Sequence, residues 1–448
     1  MEEFHILCDI QKLLVSIKNE DDIEDVKTFI YINGSFLTKT NTPSLLMLIA
    51  SVVYANPHLF DAMVKLLSDK PFSNFITNEM SIPSGNAFAS MPYFIIYQLL
   101  KCSNNPNRIC FLNYRPYRRN MNPMDSIHSQ IIDLTNPYIK AIYDDDVQKL
   151  QQLIILSNFD ENQQMSIFKV EYIDSLYNNS ILIEFAALFG SLQCFKYLFL
   201  NSKNVDYEDL LKYSIAGGNY DIIHITEDQI QDDEYKSKQI YLYLAIYYMR
   251  NELIEYLIDN YEVKIDTECY IRCLYSSNYE AFLILNEIDE DDYNIFGVDQ
   301  KGMKPIEIAS LYGYYYFVKL MVNMSNRMMQ DCLYYATKGN NLDIVKIIIE
   351  NNLGNPNYII RNNYTPFDIA RGEIFHYFSK HFQYHYFDHN LEEYSFNEEY
   401  CLQDELQMFE EYDIYEFQSF KAQIQKKNKI IRSKQKKKII KNKKQNKN

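Results

Sequence analysis

Residues 299–323 read DQKGMKPIEIASLYGYYYFVKLMVN. Asp299, Gly302 and Pro305 set a tight turn that runs into a short helix, with Pro305 at its start, where a missing N–H costs nothing. Ala309 keeps one face of that helix small. Gly313 supplies a corner, and Phe317, Val318, Leu320 and Met321 give a second helix its apolar face. Two helices this short cannot bury their apolar faces alone. The stretch therefore predicts copies of itself on either side.

The copies are present. Asn136-Pro137 opens a helix with Ala141 and Ile142, Asp144–Asp146 make a corner, and Val147, Leu150, Leu153 and Ile154 follow at helical spacing. Ala186 and Gly190 precede Phe195 and Leu198; Ser214 and Gly218 precede Ile222 and Ile223; Ala245 precedes Leu253, Ile254 and Leu257; Cys273 precedes Phe282 and Leu283. Beyond the opening stretch come LYYATKGNNLDIVKIIIENN, at 333–352, and NYTPFDIA, at 363–370. The small residues stand at 141, 186, 214, 245, 273, 309, 336 and 370, and after the first their spacings are 28, 31, 28, 36, 27 and 34. Recurrence near 30 marks a repeat array.

The array resembles the ankyrin repeat. That family's turn-and-helix signature appears as Asp299, Gly302, Lys304, Pro305, Ile306, Glu307 and Ala309, and its second helix as Asn341, Leu342, Asp343, Ile344, Val345 and Lys346. Thr365-Pro366-Phe367 restores the Thr-Pro element in the last copy, where Thr caps the helix that Pro begins. Glu307 and Asp368 stand where the family has a histidine, so that residue's bond to the turn is either lost or made by a carboxylate. Copies before 295 lack Thr-Pro, and their turns look shortened. The likeness runs over about 136–380 and is similar to degenerate protist arrays, which carry a domain of unknown function over the diverged repeats. It implies an all-α fold: a helical N-terminal region, then an ankyrin-type α-solenoid of about eight helix-turn-helix repeats.

Composition bounds the rest. The 448 residues are 47% hydrophobic, with only 11 Gly and 12 Pro, which suits a helical protein with short corners. There are 40 Tyr and 27 Phe but no Trp, a bias that makes Tyr richness weak evidence by itself. The N-terminus MEEFHILCDI has no basic segment followed by an apolar core. The longest apolar stretch, Leu45–Ala55, ends at Asn56-Pro57 and is too short to span a bilayer. Eight scattered cysteines in a large chain read as reduced, buried thiols, so a soluble cytoplasmic protein is expected. Net charge is −16, but residues 421–448 hold 13 Lys+Arg and no acid, whereas 381–420 hold 11 Asp+Glu and no Lys or Arg. The expected division is a helical region 1–125, repeats over 126–380, an acidic aromatic segment 381–420 and a disordered basic tail 421–448. The loop 113–123, with Arg115, Arg118 and Arg119, is either an anion site or a solvated linker.

No phosphate-binding glycine loop, dinucleotide fingerprint or nucleophile elbow occurs, so no enzyme and no cofactor is expected. His381, His385 and His389 fall four apart, but no acid follows His381 as a metalloprotease needs, and Cys269 and Cys273 lack a partner pair. No metal site is assigned. A repeat array of this family works as a binding surface. Aligning the copies places Phe189, Tyr247, Tyr248, Tyr275 and Tyr312 at the ends of first helices, and Gln300, Lys301 and Met303 at a turn tip. These residues are expected to form a concave partner face, because aromatic anchors bury area at small entropic cost; the other reading is that the rings pack on neighbouring repeats or on residues 1–125. Acidic corners at Glu287–Asp292 and Gln231–Glu234 point to a basic protein partner or to solvated turns. The tail reads as a solubilising end, a nuclear-import signal, or an anchor for nucleic acid or anionic membrane. The expected function is a non-catalytic interaction scaffold, with a nucleus-targeted regulator acting through the tail as the alternative.

Overall fold

The computed structural model describes residues 2–33, 41–68, 95, 99, 134, 136–157, 180–230, 238–289, 294–299, 302–324, 329–359 and 364–382. Those residues form one compact unit within Met1–Tyr384; the rest of the chain, His385–Asn448, is grouped as a second unit that lies outside the described residues. The acidic segment past 382, the basic tail, the 113–123 loop, His385, His389, Gln300, Lys301, 231–234 and 290–292 fall outside them too.

Among the described residues, four helices with given bounds come first: α1 (Glu2–Val15), α2 (Glu20–Ile32), α3 (Asn41–Ala55) and α4 (Phe60–Ser68). Asn19 starts α2 by accepting from the N–H groups of Asp21 and Asp22, and Asp22 returns the bond to the Asn19 N–H. Eight helix pairs follow: α5/α6 (Pro137–Tyr143, Val147–Ser157), α7/α8 (Leu182–Leu188, Leu192–Asn201), α9/α10 (Tyr207–Gly217, Tyr220–Glu227) and α11/α12 (Gln239–Tyr247, Ile254–Tyr261). Then come α13/α14 (Thr267–Ser276, Tyr279–Ile288), α15/α16 (Pro305–Tyr312, Tyr315–Met324), α17/α18 (Gln330–Lys338, Leu342–Glu350) and α19/α20 (Pro366–Ile369, Gly372–His381). Each first helix packs on the first helix of the next pair from α5 to α19, so the pairs stack in chain order. Among the described residues there is no β-strand. The fold is an all-α solenoid with a helical region in front of it.

One device is repeated at the corners. The small residues 141, 186, 214, 245, 273, 309 and 336 are all buried, and the residue four positions after each has a positive φ: Asp145, Gly190, Gly218, Met249, Ser277, Gly313 and Asn340. The next N–H donates back to the small residue's carbonyl, at 2.8 Å from Asp146 to Ala141, 2.9 Å from Ser191 to Ala186, 2.8 Å from Arg250 to Ala245 and 2.9 Å from Asn278 to Cys273. Tyr314 to Ala309 and Asn341 to Ala336 repeat it, each at 2.9 Å. This is a helix C-cap closed by one left-handed residue, and it reverses the chain within three residues. The small side chain is needed because its own carbonyl carries the turn while its Cβ faces the neighbouring helix.

Only three of these seven left-handed residues are glycine. Ser277 is fully buried there and its Oγ has no hydrogen-bond partner. Left-handed backbone costs a side-chain-bearing residue about 1–2 kcal/mol, and an unpaired buried hydroxyl about 1–3 kcal/mol. Against glycine's greater freedom in the unfolded chain, Ser277→Gly is expected to stabilise by about 1–2 kcal/mol. Urea denaturation checks it; an unchanged or lower midpoint would mean that the hydroxyl holds something in place.

The pairs are also bonded to each other, through the residue that follows the left-handed one. Ser191 Oγ donates to the Ile142 carbonyl at 2.6 Å and Asn219 Nδ2 to the Gly190 carbonyl at 3.1 Å. Arg250 Nε donates to Ala216 O at 2.9 Å, Asn278 Nδ2 to Ile246 O at 2.8 Å, and Asn341 Nδ2 to Ser310 O at 2.8 Å. Each bond adds a donor to a carbonyl at the end of the preceding pair's first helix or at its corner, where no N–H four residues on is available within the helix. Stacking is thus specified by polar bonds as well as by apolar area.

Candidate protein-interaction face

Of the residues expected to make a partner face, the described ones do not lie together. Three belong to the edge along which the corners are aligned, and the N-terminal helices cover that edge. Tyr248 is 0% exposed, and its ring is stacked on Tyr54 of α3 with centroids 5.6 Å apart. Tyr247 meets the same Tyr54 edge-on at 5.6 Å. Phe189 is half-buried and takes the edge of His58 at 6.2 Å and of Tyr143 at 5.6 Å. Tyr248 is therefore core. The physical reason is position: a residue just past the end of a first helix sits at the corner, and α3 packs on the corners. The helix period places such a residue on an edge, but no local pattern shows what comes to cover it.

Tyr275, Tyr312 and Met303 are placed differently. All three are half-buried and pack partly on the core. On α13, Glu268, Arg272 and Tyr275 are spaced four and three apart, hence on one helix face. Arg272 Nε donates to Glu268 Oε1 at 2.7 Å, and its guanidinium lies 5.8 Å from the centre of the Tyr243 ring on α11. Tyr243 donates to Asp266 Oδ2 at 2.5 Å. Burial, then this bond to a carboxylate, pushes the Tyr243 hydroxyl's pKa well above the usual phenol range. Tyr275 is pushed up likewise, first by burial, then by Tyr312, Glu268 and Asp299 nearby. Tyr243, Arg272, Tyr275 and Tyr312 thus form a row along three successive first helices. Composition hid Tyr243 and Arg272; the i, i+4 spacing of Tyr243 with Tyr247 was the available signal.

The turn before α15 holds this row's end. Asp299 Oδ1 accepts from the Met303 N–H at 2.7 Å, the Asp299 N–H donates to Met303 O at 2.8 Å, and Gly302 has φ +75°. At the first turn of α15 the Glu307 carboxylate, 2% exposed, accepts from the Lys304 N–H at 3.2 Å. In the last pair Asp368 Oδ2 accepts from the Thr365 N–H at 2.8 Å and from its hydroxyl at 2.7 Å, while Thr365 Oγ1 accepts from the Asp368 N–H. A carboxylate fastens the turn in both. Tight turn, proline-started first helix, small residue, left-handed corner and second helix are all present in one stacked unit, and in this the repeats resemble ankyrin repeats.

Two comparisons with known proteins gave matches. A family model described as Domain of unknown function (DUF3447) matches residues 201–285, the stretch from the end of α8 into α14. Among solved structures, the crystal structure of the human ASB11 ankyrin repeat domain is similar at 12% identity and a TM-score of 0.28, covering 53% of this chain and 93% of that one. No curated protein matches the chain. The repeats without Thr-Pro have a different start: Asp206 caps α9 and Asp266 caps α13, each accepting a backbone N–H at 3.1 Å. Aspartate does there what threonine does at 365, and the turns before them, 202–206 and 262–266, are five residues long.

One repeat carries a titrating group. Glu184 on α7 accepts from the Ile181 N–H at 2.8 Å. Burial raises its carboxyl to about 7; the Ile181 bond opposes the rise, and Asp209 and Asp206 add to it. Its folded pKa is above the ordinary value of 4.5, so the folded chain keeps a proton that the unfolded chain has released. Stability contributed by this group is therefore complete below pH 4.5 and is lost as pH rises towards 7. Glu184→Gln keeps the acceptor and has no proton to lose. Its advantage over the natural chain should grow across that window in pH-dependent urea midpoints and be flat below it.

The described cysteines Cys8, Cys194, Cys269, Cys273 and Cys332 are free and buried, and burial pushes each thiol's pKa up. Among the described residues, no three His, Cys, Asp or Glu side chains are grouped as a metal site would need, and no helix is long and apolar enough to cross a membrane.

Proposed function

We propose that the chain is a non-catalytic scaffold that binds a protein partner on the first-helix face of its ankyrin array. The observation that carries this reading is the division of the surface. The corner edge is covered by the chain's own N-terminal helices, whereas the row Tyr243, Arg272, Tyr275 and Tyr312 stays half-exposed across three repeats. Tyr and Arg are the side chains that supply most binding energy at protein interfaces. Asp266, Glu268 and Asp299 outnumber Arg272 around these rings, which favours a partner segment carrying Lys or Arg. Met303 borders the row, and Gln300 and Lys301 stay in the proposal as its neighbours in sequence. A cytoplasmic setting goes with this reading.

The test is a paired substitution measured against the partner that cross-linking from this face identifies. Tyr275→Ala with Tyr312→Ala should weaken binding at least about tenfold, with little change in the thermal transition. Tyr220→Ala, an exposed ring at the start of second helix α10, should leave affinity unchanged. The same loss from both variants would remove the contact from the first-helix face.

The second reading, contact with nucleic acid or anionic membrane and nuclear entry through residues 421–448, rests on the 13 Lys+Arg of that segment. It predicts binding that falls steeply with salt and vanishes when those residues are deleted.

A further inference from the structure

Residues 2–33 and 41–68 follow the corner edge from the sixth pair towards the first, in the direction opposite to the repeats. Glu3 of α1 pairs with Lys319 of α16. Phe4 is enclosed by Tyr279, Phe282 and Phe317, with ring centroids at 5.2, 6.0 and 5.6 Å. Gln11, fully buried, donates to Asn278 Oδ1 at 2.7 Å and accepts from the Glu280 N–H at 3.2 Å. Further along, Tyr54 covers Tyr248, and Arg250 Nη2 reaches the Ala55 carbonyl at 2.9 Å. Finally Tyr143 donates to the Pro57 carbonyl at 3.3 Å, and His58 stacks on Tyr143 at 4.0 Å. One continuous segment thus touches the sixth, fifth, fourth, second and first pairs.

A repeat array is ordinarily held by contacts between neighbours, so distant repeats are coupled only through those between them. Here the sixth and first pairs share a second connection. We propose that residues 2–33 and 41–68 are a clamp that couples the sixth pair directly to the first and suppresses local opening of the first two repeats. The polar contacts fit that role. Gln11 is a glutamine in an apolar helix face where leucine would bury more, and its two bonds fix which repeat α1 seats on. Arg250 lies over the Gly217-Gly218 corner, bonded to Ala216 O on one side and Ala55 O on the other, so the third pair is spanned as well.

Native-state hydrogen exchange on the full chain tests the clamp. Phe4→Leu and Ile348→Val remove comparable packing near the same end of the array, but only Phe4 belongs to the clamp; Ile348 is buried in the seventh pair. Phe4 touches nothing before residue 279 in these aromatic contacts, yet Phe4→Leu should speed exchange of amides in 137–157 and 182–201 by about tenfold. Ile348→Val should leave those amides unchanged. His58→Ala, at the other end, should speed the same amides, and should do so without slowing or speeding 305–324 by more than a fraction of that. Equal effects of Phe4→Leu and Ile348→Val on 137–201, or none from Phe4→Leu, would leave only neighbour-to-neighbour coupling and overturn the clamp.

Discussion

Gly217→Ala is expected to cost at least about 3 kcal/mol, enough to remove a large part of the stability of a typical domain. Gly217 ends α9, and a Cβ built on it lies 2.0 Å from the Ala187 carbonyl oxygen and 3.0 Å from that of Leu188. Both are backbone atoms at the end of α7, so no side-chain rotation relieves the overlap. The two first helices would have to separate, which breaks the buried contacts of Leu182, Ala186, Leu210 and Ser214 and lengthens the Asn219 bond to Gly190. Gly302→Ala is the control. Its φ is +75° but nothing lies within 4 Å of the added Cβ, so it should cost only the backbone term, about 1–2 kcal/mol. Urea unfolding of the two variants separates close approach from conformation. A similar midpoint for both would mean that α7 and α9 do not approach each other this closely.

Asn278→Ala is the second large effect, at about 3–4 kcal/mol. Its Oδ1 accepts from Gln11 Nε2 at 2.7 Å and from the Ala281 N–H at 3.0 Å. Its Nδ2 donates to Ile246 O at 2.8 Å and to Asn251 Oδ1 at 2.7 Å. One side chain therefore caps α14, ties the fifth repeat to the fourth, and seats α1. Alanine takes the acceptor from the buried Gln11 Nε2 and the shortest donor from the Ile246 carbonyl, which keeps the Met249 N–H at 3.3 Å, and a buried donor left without its acceptor costs more than the bond was worth. Gln11→Ala should cost less, since the Glu280 N–H is its only other partner among these bonds. The double variant should cost clearly less than the two single changes added together, because the shared bond is lost once. Additive losses would show that Gln11 and Asn278 act separately.

The repeat register was legible because it is local. A small residue, a corner four positions later and an Asn or Ser after that recur within single copies. In the fold the first offers its carbonyl as acceptor, the second makes the left-handed turn, and the third bonds to the preceding repeat. Asp145, Met249, Ser277 and Asn340 show why the corners look diverged. The closing bonds are made by backbone, so glycine improves the turn without being required. What the sequence hid is long-range. Gln11 and Asn278 are 267 positions apart, and Tyr54 and Tyr248 are 194 apart. Nothing near Tyr248 distinguishes an aromatic ring waiting for a partner from one already covered by α3. Tyr275, at the place of Tyr247, and Tyr312, at the place of Tyr248, escape that cover in later repeats. The N-terminal helices pack there through α1 on α14 and α16, away from the first helices.

The division of the surface is the central claim, and site-specific photo-cross-linking in the full chain tests it most directly. A photoreactive residue placed at 275 or 312 should trap one and the same partner protein, and Arg272→Ala should abolish the adduct. The same residue at 220 should trap none of it. A partner trapped from 220 but not from 275 or 312 would contradict the account, because it would put the binding surface on the second helices.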